Sequence, residues 1–261
     1  MSDTFRYYDG DLPLLVSVPH DGRHVPDDVR ERMTQPGRDI PDTDWHVARL
    51  YDFVRDMGVK LLVADYSRYV VDLNRSADDE NLYPGQVVTG LCPQQTFAGE
   101  DIYASGGVSI DDRERRIEVF WRPYHDRIRA TLTAMREKHG YALLWDAHSI
   151  PGIVPRLFAG ELPELNLGSN DGASCDAIIE SAVAGIAGLS DYSCVINDRF
   201  KGGFITRHYG SPANNIHALQ LEIAQRAYMD ETSTKFNAEK AGILRDTLRQ
   251  MIRAFVEAAA S

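Results

Sequence analysis

Cysteine is scarce and scattered in this chain: Cys92, Cys175 and Cys194 are the only three in 261 residues, and no two form a CxxC pair. Neither a disulfide framework nor a thiolate zinc site is indicated. No window approaches 18 uninterrupted apolar residues, so no transmembrane helix is expected. The N-terminus, MSDTFRYYDGD, lacks the basic start and apolar core of a signal peptide, and a cytoplasmic location is the expectation. Positive charge is also short. With 28 Lys and Arg against 39 Asp and Glu, the net charge of −11 argues against a nucleic-acid partner. An anionic small substrate would need a local cluster of arginines working against that global charge. Internal repeats, low-complexity tracts and interdomain linkers are absent, which leaves one domain over residues 1–261, of unknown oligomeric state.

What is present is an α/β pattern. PLLVSVPHDGRHVP begins with the apolar run Leu14, Leu15, Val16 and Val18, the composition of a strand buried on both faces. Pro19 ends it, because proline gives no ladder hydrogen bond and restricts its predecessor. His20 therefore stands where a strand stops, the place where ligands bind in open α/β sheets. Pro41 to Asp44 has helix-start chemistry, Val47, Leu50, Tyr51 and Val54 follow at helical spacing, and Gly58 closes that helix. A second buried strand covers 59–64, giving strand–helix–strand and parallel pairing. The spacing predicts a helix over 111–138 and a third buried strand over 141–145 running into Asp146-Ala147-His148-Ser149. A shorter helix over 173–187, a strand over 192–196, a last strand over 216–223 and an amphipathic helix over 235–259 complete the chain. Residues 76–107, rich in Gly, Pro, Asn and Asp, form a loop long enough to be a lid or wall over a site.

The chemistry-bearing residues fall at the ends of these runs. His20, His148 and Asp44 can converge on one sheet edge to hold a metal, since a zinc hydrolase needs about three such ligands and an open position. An N-cap role is the alternative for Asp44. His46 and His24 are rival ligands, although Asp44 and His46, two apart on a helix, face different ways. Arg68, Asn74 and Arg75 form a second cluster suited to carboxylates, with surface ion pairing as the alternative reading, and Arg207-His208 between glycines poses the same choice. Glu222 sits on a strand whose Leu219, Leu221 and Ile223 face the other way, and a carboxylate there suggests a general base beside a metal. His125 and His139 read as helix-surface or packing residues.

VSVPHDG, DTDW, SRYVVDLNR, YPGQ, LWDAHS, FKGGFITRHYG and QLEIAQ, in this order, resemble the N-formylglutamate deformylase (N-formylglutamate amidohydrolase) family. The resemblance implies cleavage of N-formylglutamate to glutamate and formate in histidine degradation. It also implies a fold similar to zinc carboxypeptidases and aspartoacylase: phosphorylase/hydrolase-like, a mixed, mainly parallel sheet with helices on both faces. Carried over, His20 and His148 match the metal histidines and Arg68 an oxyanion-steadying arginine. Asn74 and Arg75 match a carboxylate-gripping pair, joined by Arg207 for the two carboxylates of a glutamyl group, and Glu222 matches the general base. Zinc carboxypeptidases take a ligand from His-x-x-Glu, and here that position is Arg23; the deformylases point to Asp44 instead. By the same resemblance one divalent cation, zinc, would be the cofactor, and a dicarboxylate the small-molecule partner. Competing readings are a metal-dependent deacylase of another N-acyl amino acid or small peptide, a metal-free amidase with Cys92 as nucleophile, and a non-catalytic binder of acidic amino acids.

Overall fold

The structure, a computed structural model, describes residues 4–80 and 89–260. Among these, seven strands form one sheet: β1 (Phe5–Tyr8), β2 (Leu14–Val18), β3 (Lys60–Ala64), β4 (Ala142–Ile150), β5 (Leu165–Gly168), β6 (Cys194–Ile196) and β7 (Ile216–Ala224). Their spatial order is β1-β3-β2-β4-β7-β5-β6. β2 pairs in parallel with β3 and β4, β4 with β7, and β5 with β6, while β1 on β3 and β5 on β7 are antiparallel. The expected mixed, mainly parallel sheet is therefore what forms. From β2 the chain passes to β3 on one side and then to β4 on the other. That reversal opens a crevice beyond the carboxyl ends of β2 and β4.

Both faces of the sheet are covered. Leu14, Val16, Val18, Trp145, Leu219 and Leu221 face a layer containing α6 (Ala177–Gly188) and α8 (Ala238–Ala259). Leu15, Leu62, Leu144 and Ala218 face the opposite layer, with α4 (Ile110–Arg116) and α5 (Arg122–His139). Trp145 is fully buried, and its indole N–H donates to the Tyr51 hydroxyl at 3.0 Å, so burying it strands no donor. No described helix is long and apolar enough to cross a membrane.

Several elements depart from the sequence reading. The third strand extends to Ile150, because its polar residues continue a nine-residue register with β7, Asp146 opposite Gln220 and His148 opposite Glu222. His148 thus lies inside a strand, its side chain on the face that carries the site. Two short helices, α1 (Asp27–Arg30) and α2 (Gln35–Asp39), follow β2, and the longer helix expected after them is reduced to Val47–Leu50 (α3) and a 3₁₀ turn at Asp52–Val54. β1, β5, the helix α7 (Phe204–Tyr209) and a small hairpin of β8 (Met229–Asp230) and β9 (Lys235–Phe236) arise in stretches with no clear periodicity. The helical run of 110–139 contains a π turn at Ile117–Trp121, beside Pro123, which has no N–H for the helix ladder.

Of the two readings open for His125 on α5, surface or packing, the structure takes packing: the residue is fully buried. Its Nε2 donates to the Leu73 carbonyl at 2.9 Å, and burial above all lowers its pKa to about 3 from an ordinary 6.5. The unfolded chain therefore takes up this proton first as pH falls. The stability contributed by neutral His125 is fully present above pH 6.5 and is lost on acidification towards pH 3, at about 1.4 kcal/mol per pH unit. Denaturant unfolding of the parent and of His125→Gln at several pH values should show a slope steeper in the parent by about that amount, the other buried histidines contributing equally to both. Equal slopes would contradict the assignment.

Candidate active site

The site is built at the crevice from the ends of β2, β4 and β7. Beyond Val18 the chain turns through Pro19, His20 and Asp21 into Gly22, where a Cβ would lie 2.3 Å from the Tyr66 carbonyl oxygen, so only glycine fits. The His20 carbonyl accepts the Asp44 N–H at 3.1 Å, which ties the segment before α3 to the end of β2. His148 comes from β4. The result is a buried group in which one ligand atom each from His20, Asp44 and His148 lies within 4.8 Å of the others. His148 Nδ1 is 3.0 Å from Asp44 Oδ2, and His20 Nδ1 is 3.8 Å from the same oxygen.

Behind each histidine stands a second carboxylate. His20 Nε2 is 2.7 Å from Asp72 Oδ1, and His148 Nε2 is 3.1 Å from Asp146 Oδ1. A carboxylate on the far nitrogen fixes the ring and its tautomer and leaves the near nitrogen available to a metal. His20 Nδ1 is buried without a hydrogen-bond partner. Two imidazole nitrogens and one carboxylate oxygen, dry and converging, are a donor set that fits a divalent cation. The rival ligands lie elsewhere: His46 turns its Nε2 to the Thr234 carbonyl at 2.8 Å, and His24 packs edge-on against Tyr66. Asp44 caps no helix with its side chain, which instead also accepts the Ser149 N–H at 3.1 Å.

Arg68 closes one wall. Its guanidinium donates to Asp72 Oδ2 at 2.8 Å, stands 3.6 Å from Asp44 Oδ1 and lies over the Phe97 ring. Glu222 forms the opposite wall beside His148, 7% exposed, accepting from Gln220 Nε2 at 3.3 Å. Burial dominates its titration and pushes its pKa up to about 8, with His148 opposing and Asp44 adding to the rise. Burial also lowers His20, and the positive Arg68 adds to this. For His148 burial acts the same way but is outweighed by Asp146 and Asp44, which hold it well above the usual range. Asp72 is held well below its usual range because His20 and Arg68 outweigh burial.

Asn74 and Arg75 line the same cavity. The Asn74 amide is committed inward: its Nδ2 is 2.9 Å from His148 Nε2 and 3.3 Å from Asp146 Oδ2, while its Oδ1 accepts the Ile205 N–H at 2.7 Å. Gly203 allows this, since a Cβ there would come within 2.3 Å of Asn74 Nδ2. Arg75 Nε donates to the Thr89 carbonyl at 2.7 Å. Arg207 is not brought to the cavity wall; its Nε donates to the Gly202 carbonyl at 2.7 Å. Arg199 lines the cavity instead, beside Phe200 and Leu157. Sequence reasoning missed Arg199 and the carboxylates Asp72 and Asp146. Asp146 had a legible signal, two residues before His148 on the same strand face. From 76–107, Thr89 and Phe97 do form part of a wall, whereas the YPGQ motif at 83–86 lies outside the described residues. Cys92 does not line this cavity; it is buried, and burial pushes its thiol up to about 11, unfavourable for a nucleophile.

The fold is of the α/β class, and the relatives it matches make it a hydrolase. A sequence model of N-formylglutamate amidohydrolase matches residues 12–229. N-formylglutamate deformylases of Pseudomonas putida and Pseudomonas aeruginosa are 47% and 44% identical over 259 residues, 98% of this chain and 97% of each relative. The crystal structure of N-formylglutamate amidohydrolase from Ralstonia eutropha superposes with a TM-score of 0.84 at 26% identity, covering 97% of both chains. A gene product of Agrobacterium tumefaciens shares the fold at a TM-score of 0.73 and 17% identity, covering 97% of this chain and 96% of its own. The chain belongs to the N-formylglutamate amidohydrolase family.

Proposed function

We propose that this protein hydrolyses the formyl amide of N-formyl-L-glutamate to L-glutamate and formate, with one divalent cation, zinc, held by His20, Asp44 and His148. Relatives of 47% and 44% identity bear the name N-formylglutamate deformylase, which supports the substrate. The observation that carries the chemistry is the buried His–Asp–His group with a carboxylate behind each histidine and Glu222 beside it. A cation there would supply a Lewis acid for the formyl oxygen and lower the pKa of water. Glu222 takes a proton from the attacking water and returns it to the amide nitrogen as the C–N bond breaks. Arg68 stabilises the charge developing on the formyl oxygen. Asp72 keeps the Nε2 proton on His20, and Asp146 together with the Asn74 amide fixes the His148 ring at its Nε2 edge.

Arg75 grips a substrate carboxylate, with Asn74 fixing the wall behind it, and Arg199 offers a second cation to the same cavity. We assign Arg207 a bracing role at Gly202 in place of the substrate contact. The whole chain acts as one catalytic domain in the cytoplasm, a setting that suits three free cysteines.

The test is parallel turnover of N-formylglutamate, N-formylaspartate and N-acetylaspartate. N-formylglutamate should have the highest kcat/KM. In Arg75→Ala, KM should rise about 10- to 100-fold with little change in kcat, because the lost charged hydrogen bonds, worth roughly 1.5–3 kcal/mol, act in ground and transition states alike. A preference for N-acetylaspartate would overturn the substrate assignment, and an unchanged KM in Arg75→Ala would remove Arg75 from the substrate grip.

A further inference from the structure

The tripeptide Leu73–Asn74–Arg75 carries two walls of the site, and each of its carbonyls accepts a hydrogen bond from a distant element. Leu73 O accepts from His125 Nε2 at 2.9 Å, Asn74 O from the Phe204 N–H at 3.3 Å, and Arg75 O from Trp121 Nε1 at 2.9 Å. A carbonyl can only accept, so Nε2 is the protonated nitrogen of His125, and the Tyr209 hydroxyl stands 3.0 Å from Nδ1 and 3.1 Å from the His125 carbonyl, two acceptors that share its hydrogen. Trp121 and His125, four residues apart, stack with ring centroids 3.8 Å apart, and Phe204 packs against both rings.

The π turn explains how one helical run reaches this segment twice. Its bond from the Arg122 N–H to the Ile117 carbonyl adds one residue to the turn, which rotates α5 by about 100° relative to α4. Before the turn, α4 keeps Arg116 buried, donating to the Val70 carbonyl at 2.9 Å. At its end Trp121 is aimed at Arg75, and beyond it α5 aims His125 at Leu73. A regular helix with the same α4 contacts would point them elsewhere.

We propose that the π turn and its two donors, Trp121 and His125, are a positioning device that sets Asn74 and Arg75 for substrate binding. Neither residue lines the cavity. They act through the backbone, so the effect belongs to substrate affinity and not to the proton transfer at Glu222. The proposal rests on the reading that Arg75 grips the substrate.

The test is a double-mutant cycle between Trp121→Phe and Arg75→Ala. Phenylalanine keeps a ring against His125 and removes the N–H donor. For N-formylglutamate, Trp121→Phe should raise KM about three- to tenfold, the worth of one neutral hydrogen bond, with kcat and melting temperature near the parent values. In the Arg75→Ala background it should add nothing to KM. Incorporating 3-benzothienylalanine at position 121, an isostere of tryptophan without the N–H, should reproduce the effect without leaving a void. An unchanged KM in both position-121 variants, with Arg75→Ala raising KM, would overturn the positioning role and leave the substrate reading intact. Equal KM increases in both backgrounds would also overturn it, as a general packing effect. If Arg75→Ala itself leaves KM unmoved, the reading that Arg75 grips the substrate fails and the positioning proposal falls with it.

Discussion

Glu222→Gln is expected to lower kcat for N-formylglutamate by about 10²- to 10⁴-fold, the usual worth of a placed general base, while fold and metal content stay as in the parent. The side chain cannot turn away from the site. Leu219, Leu221 and Ile223 are fully buried in the opposite layer, so the pleat of β7 sends Gln220 and Glu222 to the crevice. Gln220 is oriented in turn, because its Oε1 accepts the Gly203 N–H and so leaves its NH₂ for Glu222. Burial raises the Glu222 carboxyl to about 8, and a nearby dication would bring it down again and leave it ionised, as the proposed base must be. Glutamine keeps the shape and removes the proton acceptor. A Glu222→Gln protein with normal metal content and near-parent kcat would move the base to another carboxylate.

The second large effect concerns the histidines. His20→Ala and His148→Ala should each lose the metal and, with it, turnover, whereas Asp72→Asn and Asp146→Asn should keep all three ligands and weaken metal affinity by about 10- to 100-fold. The distinction follows from the geometry: the near nitrogens face Asp44, and the far nitrogens face Asp72 and Asp146. Removing His148 also leaves Asp44 and Asp146 buried without its charge, so each variant needs a folding check by circular dichroism. Retention of stoichiometric metal by both folded alanine variants would locate the cation elsewhere.

The backbone frame of this site was legible because it depends on local rules. A buried apolar run stopped by Pro19 delivers His20 to a sheet edge, and the alternation of β7 aims Glu222 away from the apolar layer. What escaped the sequence was long-range pairing. Asp72 lies in a stretch, 69–73, that reads as extended and forms no strand, and only the fold carries it 2.7 Å from His20, 52 residues away. Arg207 and Arg199 lie on either side of the same glycines, and spacing cannot tell which faces the cavity. The polar residues of β4 hid a strand, because they face a site and not solvent. The π turn has no propensity signal of its own beyond Pro123, and its consequence for Trp121 depends on where the chain around Arg75 passes.

Hydrolysis of N-formylglutamate should depend, above all, on a cation at His20, Asp44 and His148. Elemental analysis of the purified protein, repeated after chelation and after restoring zinc, with turnover of N-formylglutamate followed in each state, tests this most directly. One divalent ion per chain is expected in the purified protein, with loss of activity in step with loss of the ion, and recovery on reloading. Full turnover by protein stripped of metal would contradict it.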